Sequence, residues 1–509
     1  MEFQSNVSLI HWLEQSKYHN YTILSMLDIS RLGKEYWNFS RIRIYHIPII
    51  NRYKMFVIKK SIKQIIKFAI NYSRLKTKVE RKEKTDRGLN LKMFKVMFFP
   101  HKSIFYGDLF IKDHFYSKDT SSSFHPRNMI HLEYDADIVK TKARYEEYFG
   151  FEPFYINLHS LVEISKDQIY VNILNCIDKV LIQSIIKSKI SLGTIITMKD
   201  LYFGYLYFCD AVKEFENVKI ALVGFDFLFP GPLSLALESR SIKTVAVQER
   251  FMAPFFNNVS YIIDIQFTAS SYISSLLQSK QDYFYVSKCI PTGLVRSDKI
   301  IKSKTKIKNK SSRKQVLVFD YHVENNFNYQ ISQPVENWAN DLFFRKEIIK
   351  IANDFKEYDF IVRGKDIEWT TITYFSEILD EWNNTPNITI DADYSEFYRA
   401  YQLCNKSDLI IARHTSIADE CISKGYDVII HDYGINYDRL IRNYYPQIPG
   451  INFCHSYKEL KAHVGGVHKK GYITNQRVKN NIIETLFDGL SDGKVQKRIH
   501  QYLDEIISG

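Results

Sequence analysis

The stretch that most constrains the fold is residues 407–434, SDLIIARHTSIADECISKGYDVIIHDYG. Its two short apolar runs, LII and VII, contain β-branched residues, as do strands buried on both faces of a parallel sheet. Between them, Thr415 or Ser416 suits the N-cap of a helix, and Gly425 suits its end. The stretch therefore predicts a strand–turn–helix–strand unit, which belongs to a parallel sheet covered by helices.

The turn of this unit reads RHTS, and an acidic pair follows one turn into the helix. Such a helix begins at the carboxyl edge of the sheet, where its free N–H groups and the positive end of its dipole can hold a phosphate. Asp419 and Glu420 would then lie close to sugar hydroxyls beside that phosphate. The spacing alone also fits an ordinary capped unit, and both interpretations stay open.

Strand-like runs alternate with helical stretches on both sides of a lysine-rich segment, residues 299–314. This alternation is typical of α/β proteins with parallel sheets. It predicts two Rossmann-like doubly wound domains that face a cleft, because ligands of such sheets bind at the carboxyl ends of the strands. The predicted strands lie within residues 94–101, 128–134, 153–158, 218–226, 243–248, 261–277, 288–298, 315–322, 359–366, 387–393, 408–412 and 427–430.

The same pattern divides the chain into five segments. Residues 1–94 are predicted to form an N-terminal α/β extension, and residues 95–298 the first Rossmann-like domain. Residues 299–314 read as an exposed linker, because they are rich in lysine and poor in apolar side chains. Residues 315–475 are predicted to form the second Rossmann-like domain, and residues 476–509 the C-terminal helices.

The formal net charge of +12 is unevenly distributed. Residues 52–95 hold fifteen basic and three acidic residues, and residues 299–314 hold eight basic and none, so the rest of the chain is net acidic. Because the basic residues are confined to two segments, we expect no nucleic-acid partner. Residues 54–72 have the apolar spacing of a helix, with lysines on the other side. This helix either packs on a protein core or lies on an anionic membrane surface.

Several classes of protein lack their usual signals in this sequence. The six cysteines form no CxxC pair, so neither a zinc site nor a disulfide framework is expected. The first residues lack a signal-peptide pattern, and no uncharged run is long enough to span a membrane. We therefore expect a cytoplasmic protein, with peripheral membrane contact through residues 54–72 as an open alternative. The P-loop, HExxH, GxSxG and GxGxxG motifs are absent.

The succession SDLII, TSIADE, Gly425 and VII resembles the second domain of GT-B glycosyltransferases. In that superfamily a serine-rich turn contacts the phosphates of the donor, and a glutamate on the following helix contacts the ribose or the donor sugar. The resemblance implies these roles for Thr415, Ser416 and Glu420. It also implies that the second domain binds the nucleotide sugar and that the first domain faces the acceptor.

Two parts of the first half are similar to bacterial enzymes that build capsule or lipopolysaccharide. One is residues 98–134, and the other is TVAVQERF, residues 244–251. Counterparts of the second part often read Gln-His-Gly, whereas this chain has Glu249 and Arg250 after the glutamine. The resemblance covers roughly residues 95–470.

Glycosyl transfer requires a stabilised leaving phosphate, an acceptor hydroxyl that loses its proton, and exclusion of water. GT-B enzymes do not usually require a metal, so basic side chains and a helix dipole are expected to stabilise the phosphate, and no metal or cofactor is expected. The expected donor-binding residues are Arg363, Lys365, His414, Thr415, Ser416 and Glu420. The expected candidates for the catalytic base follow strands of the first domain and are Asp226, Glu249 and His101.

The sequence thus predicts a glycosyltransferase of bacterial surface-polysaccharide biosynthesis, with a nucleotide-sugar donor and a glycan or lipid-linked acceptor at the inner face of the cytoplasmic membrane. A nucleotide-sugar 2-epimerase and a polyol-phosphate transferase of the teichoic-acid type share the fold and stay open as alternatives. A basic protein without enzymatic activity would bind membrane or nucleic acid in a salt-sensitive way that does not depend on Glu420.

Overall fold

A computed structural model describes most of the chain after residue 90. The extension before residue 91, with the basic segment 54–72, and most of the linker lie outside the described residues. The described ranges are 91–99, 115–133, 154–162, 204–224, 229–248, 261–279, 284–298, 313–320, 323, 338–393, 399–413, 415–435, 452–466 and 476–508.

Seven parallel strands of the described residues form the first sheet, in the order β3–β2–β1–β4–β5–β6–β7. The order reverses direction at β1 and β4, which is the arrangement of a doubly wound sheet. The strands are β1 Val96–Phe99, β2 Met129–Glu133, β3 Tyr155–Asn157, β4 Ile220–Val223, β5 Lys243–Val247, β6 Tyr261–Thr268 and β7 Phe284–Pro291.

The second sheet has six parallel strands within the described ranges, in the order β10–β9–β8–β11–β12–β13. Its order reverses direction at β8 and β11, so both sheets have the same winding. The strands are β8 Lys314–Phe319, β9 Tyr358–Arg363, β10 Ile388–Ile390, β11 Leu409–Ala412, β12 Val428–His431 and β13 Asn452–Cys454.

Helices connect these parallel strands and cover the sheets. The α-helices are α1 Gly231–Ser239, α2 Ser271–Ser279, α3 Trp338–Asp354, α4 Ser376–Asn383, α5 Arg399–Lys406, α6 Ser416–Ser423, α7 Tyr457–Gly466, α8 Gln476–Phe487 and α9 Val495–Ser508, and residues 204–212 are also helical. The short 3-10 helices are Leu91–Met93, Pro126–Asn128, Leu158–Leu161, Glu368–Thr371 and Thr373–Phe375.

The apolar runs of the sequence become strands because they are buried from both sides. Every residue of β1, β4, β11 and β12 is buried. Gly425, with φ +76°, follows the end of helix α6 as predicted, because glycine adopts a left-handed backbone most readily. The prediction of two Rossmann-like domains is confirmed by the two sheet orders. Strand β13 was not among the predicted strands.

The C-terminal helices connect the two layers. Helix α8 contacts both α2, beside the first sheet, and α6, beside the second. Asp488, just after α8, accepts hydrogen bonds from the backbone N–H of Ser271 at 2.5 Å and from its hydroxyl at 2.7 Å. The Lys424 ammonium, at the end of α6, bonds the carbonyl of Ser491. The segment after α8 is therefore attached to both domains.

Helix α9 then returns to the first sheet. Val495, Ile499 and Leu503 are fully buried in one cluster with residues of β1, β4, β5 and β6. Asp298, which follows β7, accepts hydrogen bonds from the first two N–H groups of the helix, at 3.3 and 3.1 Å. Gly293, with φ +104°, allows the close approach, because a Cβ there would lie 2.7 Å from the carbonyl oxygen of Leu490. The last helix thus belongs structurally to the first domain.

A helix with the length and apolar content of a membrane span does not occur in the described part of the chain.

We expect Leu503→Ala to destabilise the protein by about 2–5 kcal/mol, because it leaves a cavity between α9 and the first sheet. Gln501→Ala, on the exposed side of the same helix, is the matched control and should stay within about 0.5 kcal/mol. Urea unfolding followed by circular dichroism measures both. Equal midpoints for the two variants would contradict the packing of α9.

Candidate functional site

The carboxyl edge of the second sheet is lined with ionisable residues. Because all six strands are parallel, their carboxyl ends meet at this one edge. Each strand ends in an ionisable residue or is followed directly by one. In the order of the strands along the chain, these residues are Asp320, Arg363, Asp391, Arg413, Asp432 and His455.

Helix α3 supplies the partner of the first of these residues. Arg345 is fully buried and donates to the Asp320 carboxylate, with an Nη2–Oδ2 distance of 2.8 Å. Its guanidinium also lies 4.2 Å from the ring centre of Trp369 and 5.0 Å from that of Phe375. The aromatic faces and the carboxylate together compensate the buried positive charge.

Helix α3 also binds the strand end that leads into α6. Asp341 accepts a hydrogen bond from Arg413, with an Nη1–Oδ1 distance of 2.6 Å, and both side chains are at most 2% exposed. Burial raises the pKa of Asp341, while the nearby Arg413 and Arg345 act in the opposite direction. The pair fixes the beginning of the β11–α6 turn against α3.

Arg363, an expected donor-binding residue, ends β9 and is bound to protein groups. Its guanidinium donates to the Asp391 carboxylate and, at 2.8 Å, to the carbonyl of Asp393. Arg399 donates to the other carboxylate oxygen of Asp391 at 3.1 Å. Two cations thus share one largely buried anion. Lys365, two residues further on, is exposed.

Thr415 and Ser416, expected to contact phosphates, stand at the start of α6. Of the two residues that the sequence offered for the N-cap, Thr415 occupies that position and Ser416 is the first helical residue. Both are half-buried, and the Thr415 side chain makes no capping hydrogen bond. The N–H groups of the first turn of α6 therefore receive no bond from the Thr415 side chain, and the buried Asp419 in the same turn partly offsets the positive end of the helix dipole. His414 lies outside the described residues.

Glu420, the expected ribose contact, faces the protein interior. It is 1% exposed and accepts a hydrogen bond from the Tyr401 hydroxyl at 2.5 Å. Burial and the neighbouring Glu420 carboxylate raise the pKa of Tyr401 well above its usual value, so the phenol stays protonated and remains a donor. Glu420 thus attaches α6 to α5.

The same helix α5 holds two strand-end regions that are far apart in the sequence. Arg399, its first residue, binds Asp391 and thereby belongs to the cluster around Arg363. Tyr401 binds Glu420 on α6. Of the expected donor-binding residues, Arg363 and Glu420 are therefore connected through one element, although 56 other residues separate them in the sequence.

Three described strand ends of the first domain carry uncharged polar side chains, unlike the ionisable strand ends of the second sheet. After β5, the Gln248 carboxamide oxygen accepts the backbone N–H of Ala269 at 2.8 Å. The hydroxyls of Thr268 and Ser274 lie 2.7 Å apart at the end of β6, and Thr292 follows β7. The carboxyl ends of β5, β6 and β7 thus carry uncharged polar side chains. The three candidates for the base, His101, Asp226 and Glu249, lie outside the described residues.

Sequence reasoning missed the residues at the ends of β12 and β13. His431 is fully buried, stacked on Tyr433 with 4.0 Å between ring centres, and burial lowers its pKa to about 3. Asp432 follows it and faces His455, with 3.4 Å between Oδ2 and Nδ1. The sequence predicts a strand only over residues 427–430, one residue short of His431, and the three-residue strand before His455 has no recognisable pattern.

No protein-family model matches the sequence, and neither does any curated protein. Similar solved structures include a UDP-GlcNAc 2-epimerase from Neisseria meningitidis bound to UDP-GlcNAc, with 12% identity, a TM-score of 0.47 and coverage of 81% of this chain and 99% of that one. The wall teichoic acid polymerase TagF has 11% identity and a TM-score of 0.44, covering 90% of this chain and 98% of that one. A glycosyltransferase from Rickettsia africae has 11% identity and a TM-score of 0.42, covering 81% and 98%. At these identities the similarity concerns the fold and assigns no residue and no activity.

We expect Arg413→Met to destabilise the protein by about 3–5 kcal/mol, because the cation that faces the buried Asp341 carboxylate is removed. Lys314→Met, which removes an exposed ion pair with Asp408 in the same domain, is the control and should cost about 1 kcal/mol or less.

The loss of folding stability in Arg413→Met should also depend on pH. A carboxyl whose pKa is raised in the folded state binds its proton more tightly there, so stability is retained at low pH and lost as the pH rises through the folded-state pKa. Without Arg413 the folded-state pKa of Asp341 rises further, so unfolding midpoints should fall more steeply in Arg413→Met than in the wild type as the pH rises above about 4, the ordinary pKa of a carboxyl. A parallel pH dependence would contradict the pairing.

Proposed function

We propose that the protein is a glycosyltransferase that moves a sugar from a nucleotide-sugar donor to a glycan or lipid-linked acceptor in bacterial surface-polysaccharide biosynthesis. The observation that carries this proposal is the start of α6 at the end of β11, where the strand order of the second sheet reverses direction. Ligands of doubly wound sheets bind at such reversals. A helix start at that place is suited to the phosphates of a nucleotide sugar.

In this proposal the donor phosphates rest on the first turn of α6. The hydroxyls of Thr415 and Ser416 are half-buried there and can donate to phosphate oxygens. Charge from nearby side chains adds to the helix dipole. Arg363 and Arg399 share the carboxylate of Asp391 at the ends of β9 and β10, and the exposed Lys365 follows β9, with Asp366 and Asp393 as neighbouring acids. The helix start and these basic side chains stabilise the negative charge that grows on the leaving nucleotide.

Glu420 has a different place in the proposal from the one implied by the resemblance. Because it is buried against Tyr401, it is better placed to fix the start of α6 than to bind a ribose hydroxyl. We assign Glu420 and Tyr401 as positioning residues for the phosphate site. His414, next to Thr415, is retained as a donor-binding residue in this proposal.

The acceptor hydroxyl must lose a proton as it attacks the anomeric carbon, and the bond between that carbon and the phosphate oxygen breaks. We assign the base to the first domain, with Asp226, Glu249 and His101 as the candidates that follow its strands. The reaction would take place in a cleft between the two domains at the inner face of the cytoplasmic membrane. The basic segment 54–72 would then contact anionic lipid.

The donor site is tested by thermal unfolding of the full chain with CMP, CDP, UDP, GDP and dTDP. We expect nucleotides with one particular base to stabilise the protein. The free energy of unfolding should rise by about 2.7 kcal/mol when the nucleotide concentration is near 100 times Kd. Ser416→Ala should lower the affinity for that nucleotide about tenfold, because it removes a hydrogen bond to phosphate. Ser376→Ala is the matched control, since Ser376 also begins a helix of the second domain and is exposed.

The products of the reaction decide between the alternatives. A glycosyltransferase releases nucleotide only with an acceptor, whereas a 2-epimerase yields an isomerised sugar nucleotide without one. A polyol-phosphate transferase of the teichoic-acid type consumes a CDP-polyol. Absence of stabilisation by all five nucleotides would contradict the donor site, and salt-sensitive binding to vesicles or nucleic acid that survives Glu420→Ala would favour a binding protein.

A further inference from the structure

The segment that follows β7, residues 292–298, lies beside the loop that attaches α6 to the first domain. Its Gly293 approaches this loop so closely that a Cβ there would lie 2.7 Å from the carbonyl oxygen of Leu490. The carbonyl of the next residue, Ser491, accepts the hydrogen bond from Lys424 at the end of α6. The segment after β7 and helix α6 therefore meet at two consecutive residues of one loop.

Hydrogen bonds hold both ends of this segment in the first domain. At one end, the Thr292 N–H donates to the Thr268 carbonyl at 2.9 Å, and the Arg498 guanidinium donates to the Thr292 carbonyl at 2.7 Å. At the other end, the Asp298 carboxylate binds the first N–H groups of α9. Arg296 is half-buried between these ends, so its side chain extends from a fixed backbone.

The apolar packing of the segment continues into α5 and α6. Leu294 is 1% exposed and belongs to the same buried cluster as Cys404 of α5 and Cys421 of α6. Ile417, in the first turn of α6, packs against this cluster and also against the ring of Tyr401. The segment after β7 and the start of α6 thus share one apolar core.

Helix α6 contains two buried acids and no basic residue of its own. Asp419 and Glu420 are 6% and 1% exposed. The Tyr401 hydroxyl gives Glu420 a hydrogen bond but no positive charge, and Lys424, just after the helix, is bound to a carbonyl. A carboxylate in such a place is strongly destabilising unless a cation lies near it.

The positive charge of Arg296 acts on this pair of side chains from the first domain. Burial and the Glu420 carboxylate raise the pKa of Tyr401, whereas the charge of Arg296 acts to lower it. The guanidinium therefore opposes the field of the Glu420 carboxylate at the Tyr401 hydroxyl. Such attraction is stronger between buried groups than at a surface, because water does not screen it.

From these contacts we infer that Arg296 is a positioning residue for the proposed phosphate site. By compensating the buried charge of Glu420, it holds the start of α6 against the first domain. The donor phosphates rest on α6 and the catalytic base comes from the first domain, so Arg296 fixes the donor relative to the base. The inference rests on the proposed function, because it requires a phosphate on α6.

A double-mutant cycle of Arg296→Met and Glu420→Gln on the full chain tests this role. Glu420→Gln removes the negative charge and keeps an oxygen that accepts the Tyr401 hydroxyl. Arg240→Met is the matched control, because Arg240 is another half-buried arginine of the first domain, after α1, and donates to the Lys213 carbonyl at 3.0 Å.

Two measurements are made on each variant. Urea unfolding gives the coupling between the two substitutions in folding stability. Calorimetric titration gives the affinity for inorganic pyrophosphate and for the nucleotide that stabilises the wild type in the panel of five. A purely structural role would change the first measurement and leave the second unchanged.

We expect Arg296→Met to lower the unfolding midpoint and to reduce the affinity for both ligands about tenfold, because Glu420 then keeps an uncompensated charge next to the phosphate site. In the Glu420→Gln background, the same substitution should change the affinity by about twofold or less. Arg296→Lys should restore most of the affinity, since it keeps the positive charge. Arg240→Met should leave the affinity unchanged and show no coupling to Glu420→Gln.

Different failures have different meanings. Additive effects of Arg296→Met and Glu420→Gln on stability would show that the two charges do not interact. Equal losses of affinity in both backgrounds would place Arg296 at the ligand itself, and a loss of stability without a loss of affinity would leave it a purely structural role. In these cases the proposed function stands. If neither pyrophosphate nor any nucleotide binds the wild type, the proposed function fails together with the inference.

Discussion

The second domain depends on the pairing of buried charges between α3 and the carboxyl edge of its sheet. Arg345 with Asp320 and Asp341 with Arg413 bring two cations and two anions out of water. Each ion alone would be strongly destabilising there, and the pairs are compatible with the fold only because the partners are held at hydrogen-bond distance. Hydrophobic packing brings α3 to the sheet, and the charge pairs determine its position along the strands. The turn before α6 is thereby fixed.

This arrangement has a consequence for how a site can form at the edge. Most of the charged side chains at the strand ends are paired with other protein groups. An anion that binds there would therefore interact with backbone dipoles and with cations that already have a protein partner. Arg363 and Arg399 illustrate this, since both donate to Asp391 and are already oriented. Groups that are oriented before a ligand binds do not have to reorganise when charge develops. The ends of β5, β6 and β7 in the first domain carry neutral polar side chains instead.

The sequence predicted the sheets well, because strands buried on both faces appear as continuous apolar runs with turn residues beside them. The unit around α6 was predicted nearly to the residue, since the two apolar runs and the left-handed Gly425 are local signals. The pairing of strand-end charges was not predictable from local pattern. Asp341 and Arg345 lie on a helix where polar residues normally indicate a solvated face, yet both are buried. The interior position of Glu420 depends on Tyr401, and β13 is too short to show any period.

The return of α9 to the first sheet affects how the chain acquires its structure during synthesis. Val96 at the beginning of the first domain and Leu503 near the end of the chain belong to one buried cluster. During synthesis this apolar cluster of the first sheet is therefore completed only after α9 has emerged from the ribosome. Contacts between such distant residues slow folding and prolong the exposure of apolar surface. The first domain is therefore the part of this protein for which protection by a chaperone would matter most.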